Sequence, residues 1–260
     1  MEQSQSSLHI SVLQMALEWE APEANYRQAE SLLKESVTET DMIVLPEMFS
    51  TGFSMKPDHI AEPMHGPTMY WMRKLAGHYD ALVMGSMIIE EEGKYFNRFL
   101  AVDGFGLVYH YDKIRLFSMS GENVAYTAGS SVEAFEWKKW RFLPQVCYDL
   151  RFPENVRQAD PQHGHAYDVL VYVANWPSAR VAHWDTLLRA RAIENQSYVI
   201  GANRVGEDQN QYSYIGHSAI IDPKGNVLGT SEKQGVIQHV IEAEPMHTYR
   251  QSFPAWRDAS

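Results

Sequence analysis

Apolar positions follow two rhythms that alternate along the whole chain, short strand-like runs and longer stretches at helical spacing. Leu8 to Met15 reads as a strand. Pro22 suits the first turn of a helix, because that turn needs no N–H from it, and Tyr26, Ala29 and Leu33 then share one face. Asp41 to Leu45 is a short buried strand stopped by Pro46, and Pro67 starts a second helix that lines up Met69, Met72 and Leu75. Ala81 to Ile89 is a strand leading to a turn at Glu92-Gly93. Tyr95 to Val102 and Leu107 to Tyr111 form a hairpin about Asp103-Gly104. Val132 to Trp137 and Arg141 to Val146 form a second pair, joined near Lys138-Lys139. Val169 to Ala174 is apolar throughout, as in a strand covered on both faces. Ala179 to Gln196 carries the clearest helical pattern. Tyr198 to Asn203, Ser218 to Ile221 and Val236 to Ile241 complete the strands, and Asp222-Pro223-Lys224-Gly225 is a turn.

No linker, fixed-period repeat or low-complexity tract interrupts this alternation, so it predicts one α/β domain over residues 1–260. Hairpins mixed with crossovers imply a mixed sheet arrangement, two sheets packed together with helices outside. A net charge of -11 argues against nucleic acid, whose phosphates demand a basic footprint. It leaves room for an anionic small substrate, because one local Arg or Lys can dominate a pocket. The single cysteine excludes an intrachain disulfide and a Cys-rich metal site. Met1 to Ser7 is polar and lacks the regions of a signal peptide, and no apolar run approaches the ~20 residues of a membrane span. The expectation is a cytoplasmic protein without a membrane partner, a metal or a cofactor.

Candidate chemistry gathers at the carboxyl ends of the predicted strands. Glu47 follows Asp41 to Leu45, Lys113 follows Leu107 to Tyr111, Cys147 follows Arg141 to Val146, and Asn175-Trp176 follows Val169 to Ala174. In α/β sheets this edge carries ligands and catalytic groups on loops held by a rigid scaffold. Cys147 lies where a strand gives way to a polar loop and a Pro-started helix, a turn that presents a nucleophile beside backbone N–H donors. A buried, inert thiol is an equally good reading of its spacing. Taken singly, Glu47 reads more simply as a loop glutamate, and Lys113 as part of an edge strand. Taken together they make chemical sense: a cation lowers the thiol's pKa and a carboxylate accepts its proton.

Three segments in this order resemble the nitrilase, or carbon–nitrogen hydrolase, superfamily: Leu45-Pro-Glu47-Met-Phe, Tyr111-Asp-Lys113-Ile-Arg-Leu-Phe and Val146-Cys147-Tyr-Asp-Leu-Arg-Phe-Pro. Phe96-Asn97, Asn175-Trp176-Pro177, Arg189 to Asn195 and Gly216-His217-Ser218 extend the likeness over nearly the whole chain. Leu116 to Glu122 and Tyr126 to Gly129 resemble the bacterial omega-amidase branch. The resemblance implies a four-layer α-β-β-α sandwich, a homodimer to which C-terminal aromatics such as Trp256 contribute, and a Glu47–Lys113–Cys147 triad. Glu47 would act as base, and Cys147 would form a thioester. Lys113 and the backbone N–H of Tyr148 would hold the oxyanion, and Glu122 would hold the lysine. Lys113→Met is accordingly expected to lose activity with little change in stability.

Substrate residues follow less directly. Arg151 could clamp a substrate carboxylate or pair with Asp149 or Glu154. Phe117 and Trp176 could wall the acyl pocket or belong to the core, and Asn175 could donate to substrate. Gln145 stands where many relatives carry a small or apolar residue. The substrate class this branch implies is a short dicarboxylic acid monoamide, such as 2-oxoglutaramate or succinamate. An N-carbamoyl-amino-acid or other aliphatic amidase is the rival enzyme, and a catalytically dead scaffold the rival from another class. The intact triad argues against the scaffold. His163, His165 and His183 lack ligand spacing for zinc.

Overall fold

The computed structural model describes residues 6–157, 159–160 and 164–258. Its first sheet contains β1 (Ser7–Gln14), β2 (Met42–Val44), β3 (Leu82–Glu91), β4 (Lys94–Asp103), β5 (Gly106–Asp112) and β16 (Gly235–Glu242), in the order β16-β1-β2-β3-β4-β5. The second contains β6 (Phe135–Trp137), β7 (Trp140–Val146), β10 (Val169–Val173), β11 (Tyr198–Ala202), β14 (Ser218–Ile221) and β15 (Val227–Ser231), in the order β15-β14-β11-β10-β7-β6. Each sheet has a parallel centre, β1-β2-β3 or β7-β10-β11, and antiparallel flanks. Two small pairs lie outside them, β8 (Ala159–Asp160) with β9 (Gly164–His165), and β12 (Val205–Glu207) with β13 (Ser213–Ile215).

Strand alternation explains the layering. In β1, Leu8, Ile10 and Val12 point between the sheets, and Leu13 points to the helices. In β10, Val169, Val171 and Val173 face the inter-sheet core while Leu170 and Tyr172 face outward, which is why the run is apolar throughout. Helices α1 (Pro22–Ser36) and α2 (Pro67–Tyr79) cover the first sheet through Tyr26, Ala29, Leu33, Met69, Met72 and Leu75. Helix α4 (Val181–Asn195) covers the second through Trp184, Leu188 and Ala192. Gly201 of β11 permits this close packing, since a Cβ there would sit 2.7 Å from Leu188. The result is the expected α-β-β-α sandwich. Burying each such Leu or Ile contributes roughly 1.5–3 kcal/mol, an upper figure for area removed from water.

The element map differs from the sequence pattern at its weaker ends. Strand β6 begins at Phe135 rather than Val132. Strand β15, the β12–β13 hairpin and helix α5 (Ala243–Ser252) have no clear periodic signature, because they are short or half-exposed. Helix α5 is anchored by Met246 and by Arg250, whose Nη1 reaches Asp168 at 2.9 Å. Met1 to Gln5 and His163 lie outside the described residues. Among the described residues, no helix is long and apolar enough to cross a membrane.

Candidate active site

The carboxyl ends of the parallel strands lie at one edge of the sandwich, and three of the four sequence-marked positions extend from them. Glu47, just past β2, is completely buried. Its Oε1 accepts from Lys113 Nζ at 2.9 Å and Asn97 Nδ2 at 2.8 Å, and its Oε2 accepts from the Asn175 N–H at 2.8 Å. The next residue, Met48, has φ +44, a left-handed turn secured by its N–H donating to Ser86 Oγ.

Lys113 follows the edge strand β5 yet is 1% exposed. Its Nζ bridges Glu47 and both Glu122 oxygens at 2.9 Å, and Phe53 places its ring 5.3 Å away. The Lys113 backbone is held too, donating to Asn97 and accepting from Gly129. Glu122 opens the short helix α3 (Glu122–Ala125) and is buried; its Oε2 also accepts from the Phe117 N–H at 2.6 Å.

Cys147 comes directly after Val146, the last residue of β7, with φ +47, a strained conformation for any residue with a Cβ. A 3₁₀ helix (Cys147–Arg151) follows, then a second (Pro153–Asn155), so the Pro-started helix expected here is one short turn. The Tyr148 N–H lies in that first turn, where backbone donors lack intrahelical partners. Asp149 locks the turn. Its carboxylate accepts from the N–H of Val146, the N–H of Arg115 and the hydroxyl of Tyr111, each at 2.9 Å. One buried side chain therefore ties the cysteine turn to the loop beyond Lys113. Arg191 of α4 adds a bond from Nη2 to Leu150 O at 2.6 Å.

The electrostatics modify the simple picture of a lysine-activated thiol. Burial pushes the Cys147 thiol well above its ordinary value, and the Glu47 charge raises it further, outweighing Lys113. The resting residue is therefore a protonated thiol beside the Glu47 carboxylate. Burial alone would discharge Lys113, but Glu122 and Glu47 overcome it and hold the ammonium charged.

Above these groups opens a cavity of about 960 Å³. Cys147, Tyr148, Phe117, Trp176, Asn175 and Arg151 all line it. Arg151 pairs with neither Asp149 nor Glu154. It rests on the Trp176 ring at 4.8 Å and reaches His183 Nδ1 at 3.1 Å, while Glu154 pairs with Arg115. Asn175 turns its donors to Glu47, Nδ2 reaching the backbone oxygen at 2.6 Å. Gln145 shares the outward face of β7 with Leu143, and its Nε2 bonds Pro144 O. Pattern reading missed the cavity's remaining walls, which include Trp19, Phe53, Arg180 and Tyr214. His165 packs at a tilt against Trp256, ring centres 5.5 Å apart, and burial takes its pKa down to about 4. Among the described residues, no group of three His, Cys, Asp or Glu could hold a metal ion.

The carbon-nitrogen hydrolase family model matches residues 9–251. This chain belongs to the carbon–nitrogen hydrolase family. It is 44% identical to omega-amidase YafV of Yersinia enterocolitica, over 97% of both chains. It is 32% identical to a 2-oxoglutaramate amidase of Bacillus subtilis, over 96% of both. The crystal structure of a CN-hydrolase superfamily protein from Xanthomonas campestris, with an arsenic adduct in its active site, superimposes with a TM-score of 0.93. It is 41% identical, over 97% of each chain. As a member of this family the chain is a hydrolase of carbon–nitrogen bonds other than peptide bonds, of the omega-amidase branch.

Burial pushes the Asp149 carboxyl up to about 6. An acid with a folded value above its unfolded value of ~3.9 holds a proton between those pH values that the unfolded chain has released. Its contribution favours folding below about pH 4 and is lost as pH rises through 6. The stability advantage of the protein over Asp149→Asn should therefore shrink by on the order of 2–3 kcal/mol between pH 4 and 7. Urea unfolding at both pH values measures it; a difference independent of pH would remove the buried-acid reading.

Proposed function

We propose that the protein is an omega-amidase, hydrolysing the terminal amide of short dicarboxylic acid monoamides such as 2-oxoglutaramate or succinamate. The observation that carries this reading is Arg151, held over Trp176 in the cavity that contains Cys147 and unpaired with any carboxylate among the described residues. In the mechanism proposed, Glu47 removes the Sγ proton as sulfur attacks the amide carbon, and the carbonyl π electrons move to oxygen. Lys113 Nζ and the Tyr148 N–H hold that oxyanion. As it collapses, Glu47 returns the proton to nitrogen, the C–N bond breaks and ammonia leaves a thioester. Glu47 then deprotonates water, which attacks the thioester carbon; the C–S bond breaks, releasing the carboxylic acid and restoring the thiol. Glu122 and Asn97 keep Lys113 and Glu47 in register. Asn175 serves the base rather than the substrate.

A neutral thiol fits this sequence, since proton transfer to Glu47 accompanies attack instead of preceding it. Phe117 and Trp176 would contact the acyl chain. Arg151 would meet the far carboxylate, a bidentate pairing that lysine cannot reproduce. Arg151→Lys should lower kcat/KM for 2-oxoglutaramate by about 10²-fold, and that for a neutral amide of similar length by less. Equal losses would make Arg151 a loop support, and a wild-type preference for carbamoyl amino acids would reassign the enzyme.

A reducing cytoplasm suits a catalytic thiol, and we place the protein there. We also propose a homodimer. Ile193 on α4 and Phe253 beyond α5, both more than half exposed, are apolar surface it could cover. Light scattering should give about twice 29.8 kDa at micromolar concentration; a species of the single-chain mass alone would exclude the dimer.

A further inference from the structure

We propose that Arg180 is a specificity-determining residue, the second half of a two-arginine site for the substrate's far carboxylate; this rests on the omega-amidase reading above. Arg180 lines the same cavity as Cys147 and Arg151. Arg180 is half-buried, and its guanidinium lies 5.6 Å from the centre of the Phe117 ring. Among the described residues no carboxylate is paired with it. A guanidinium resting on a ring face keeps its N–H donors, directed around its edge, available for an anion.

Trp176 organises both cations. Its ring face carries Arg151 at 4.8 Å, and its indole N–H donates to the Arg180 backbone oxygen at 2.8 Å. The short 3₁₀ turn Ser178–Arg180 is thereby fixed to the residue that supports Arg151. Phe117, beneath Arg180, packs on Tyr148 at 5.0 Å, so the second cation stands over the aromatic wall that begins beside the nucleophile.

The cavity's acidic side chains are already engaged. Glu20 accepts from Ser54 Oγ at 2.6 Å. Asp208 accepts from the N–H groups of Asn210 and Tyr212 and from the Tyr214 hydroxyl. Lys56, the remaining basic residue of the lining, is exposed. An entering carboxylate therefore meets two supported guanidinium groups in a protein whose net charge is -11 and whose overall field repels it. A carboxylate has lone pairs enough to accept from both, and a neighbouring 2-oxo group adds a further acceptor. The ligand class is thus a short acyl amide ending in a carboxylate, with 2-oxo acids fitting best.

The test compares wild type with Arg180→Gln and Arg180→Lys on succinamate, 2-oxoglutaramate and neutral butyramide. Arg180→Gln should lose about 10–100-fold in kcat/KM on the charged amides, chiefly through KM, and at least tenfold less on butyramide. Arg180→Lys should recover part of the loss by restoring charge without the planar fork. An equal fall in kcat on all three amides would mean that Arg180 only props Phe117, and overturns the proposal. Undiminished turnover of the charged amides by Arg180→Gln, with wild type still preferring them, overturns this inference alone. A wild type that shows no preference for a carboxylate-bearing amide overturns the omega-amidase reading and this one with it.

Discussion

Cys147→Ala is expected to reduce ammonia release to background, a loss of about 10⁴-fold or more, while the fold and its thermal midpoint stay close to wild type. The mechanism proposed routes both half-reactions through Sγ, so no other group can substitute for it. The structural cost is small, because the residue is only partly buried at the cavity floor. Alanine also keeps a Cβ at φ +47, so the strain of the turn is unchanged. What holds that turn is Asp149 and Arg191, not the thiol. Because the chain has a single cysteine, intact-mass spectrometry of wild type quenched during turnover should show one acyl adduct, and Cys147→Ala none. Ammonia release by the variant near the wild-type rate would refute thioester catalysis here.

The layered fold was legible because buried strands and amphipathic helices write their burial into periodic apolar positions. Val169 to Val173 and the Tyr26–Ala29–Leu33 face needed no partner information to be placed. The site was legible in a different way. Glu47, Lys113 and Cys147 were marked by their places after strands and by the family resemblance, while the contacts that fix them join segments far apart in sequence. Lys113 alternates with apolar neighbours as an edge-strand residue does. Its pairing with Glu47 and Glu122 followed from the family resemblance and not from any local periodicity. Asp149 was visible only as a possible partner for Arg151. Its real partners, Tyr111, Arg115 and Val146, lie on both sides of the site. Arg180 stands four residues past Trp176 in a short 3₁₀ turn, whose role emerges only once Phe117 and the cavity surround it.

Lys113→Met is the variant for which the structure changes the expected outcome. The sequence led to lost activity with unaltered stability, but Nζ is sandwiched between two carboxylates whose side chains are fully buried. Methionine matches the length and removes the charge, leaving Glu47 and Glu122 facing each other. Unpairing a buried ion network typically costs about 3–5 kcal/mol, which for a chain of 260 residues lowers the thermal midpoint by roughly 10 °C. Activity should fall further than the ~10²–10³ expected from one missing oxyanion donor. With the cation gone the two carboxylates repel each other, and Glu47 loses the contact that aims it at Sγ. The double variant Lys113→Met/Glu122→Gln separates these effects. Replacing one anion with a neutral amide should return much of the lost stability, yet turnover should stay depressed because the oxyanion still lacks its cation. Thermal melts and ammonia release on the single and double variants decide the matter. Turnover recovering alongside stability would reduce Lys113 to a structural counter-ion, and activity within tenfold of wild type in the single variant would do the same.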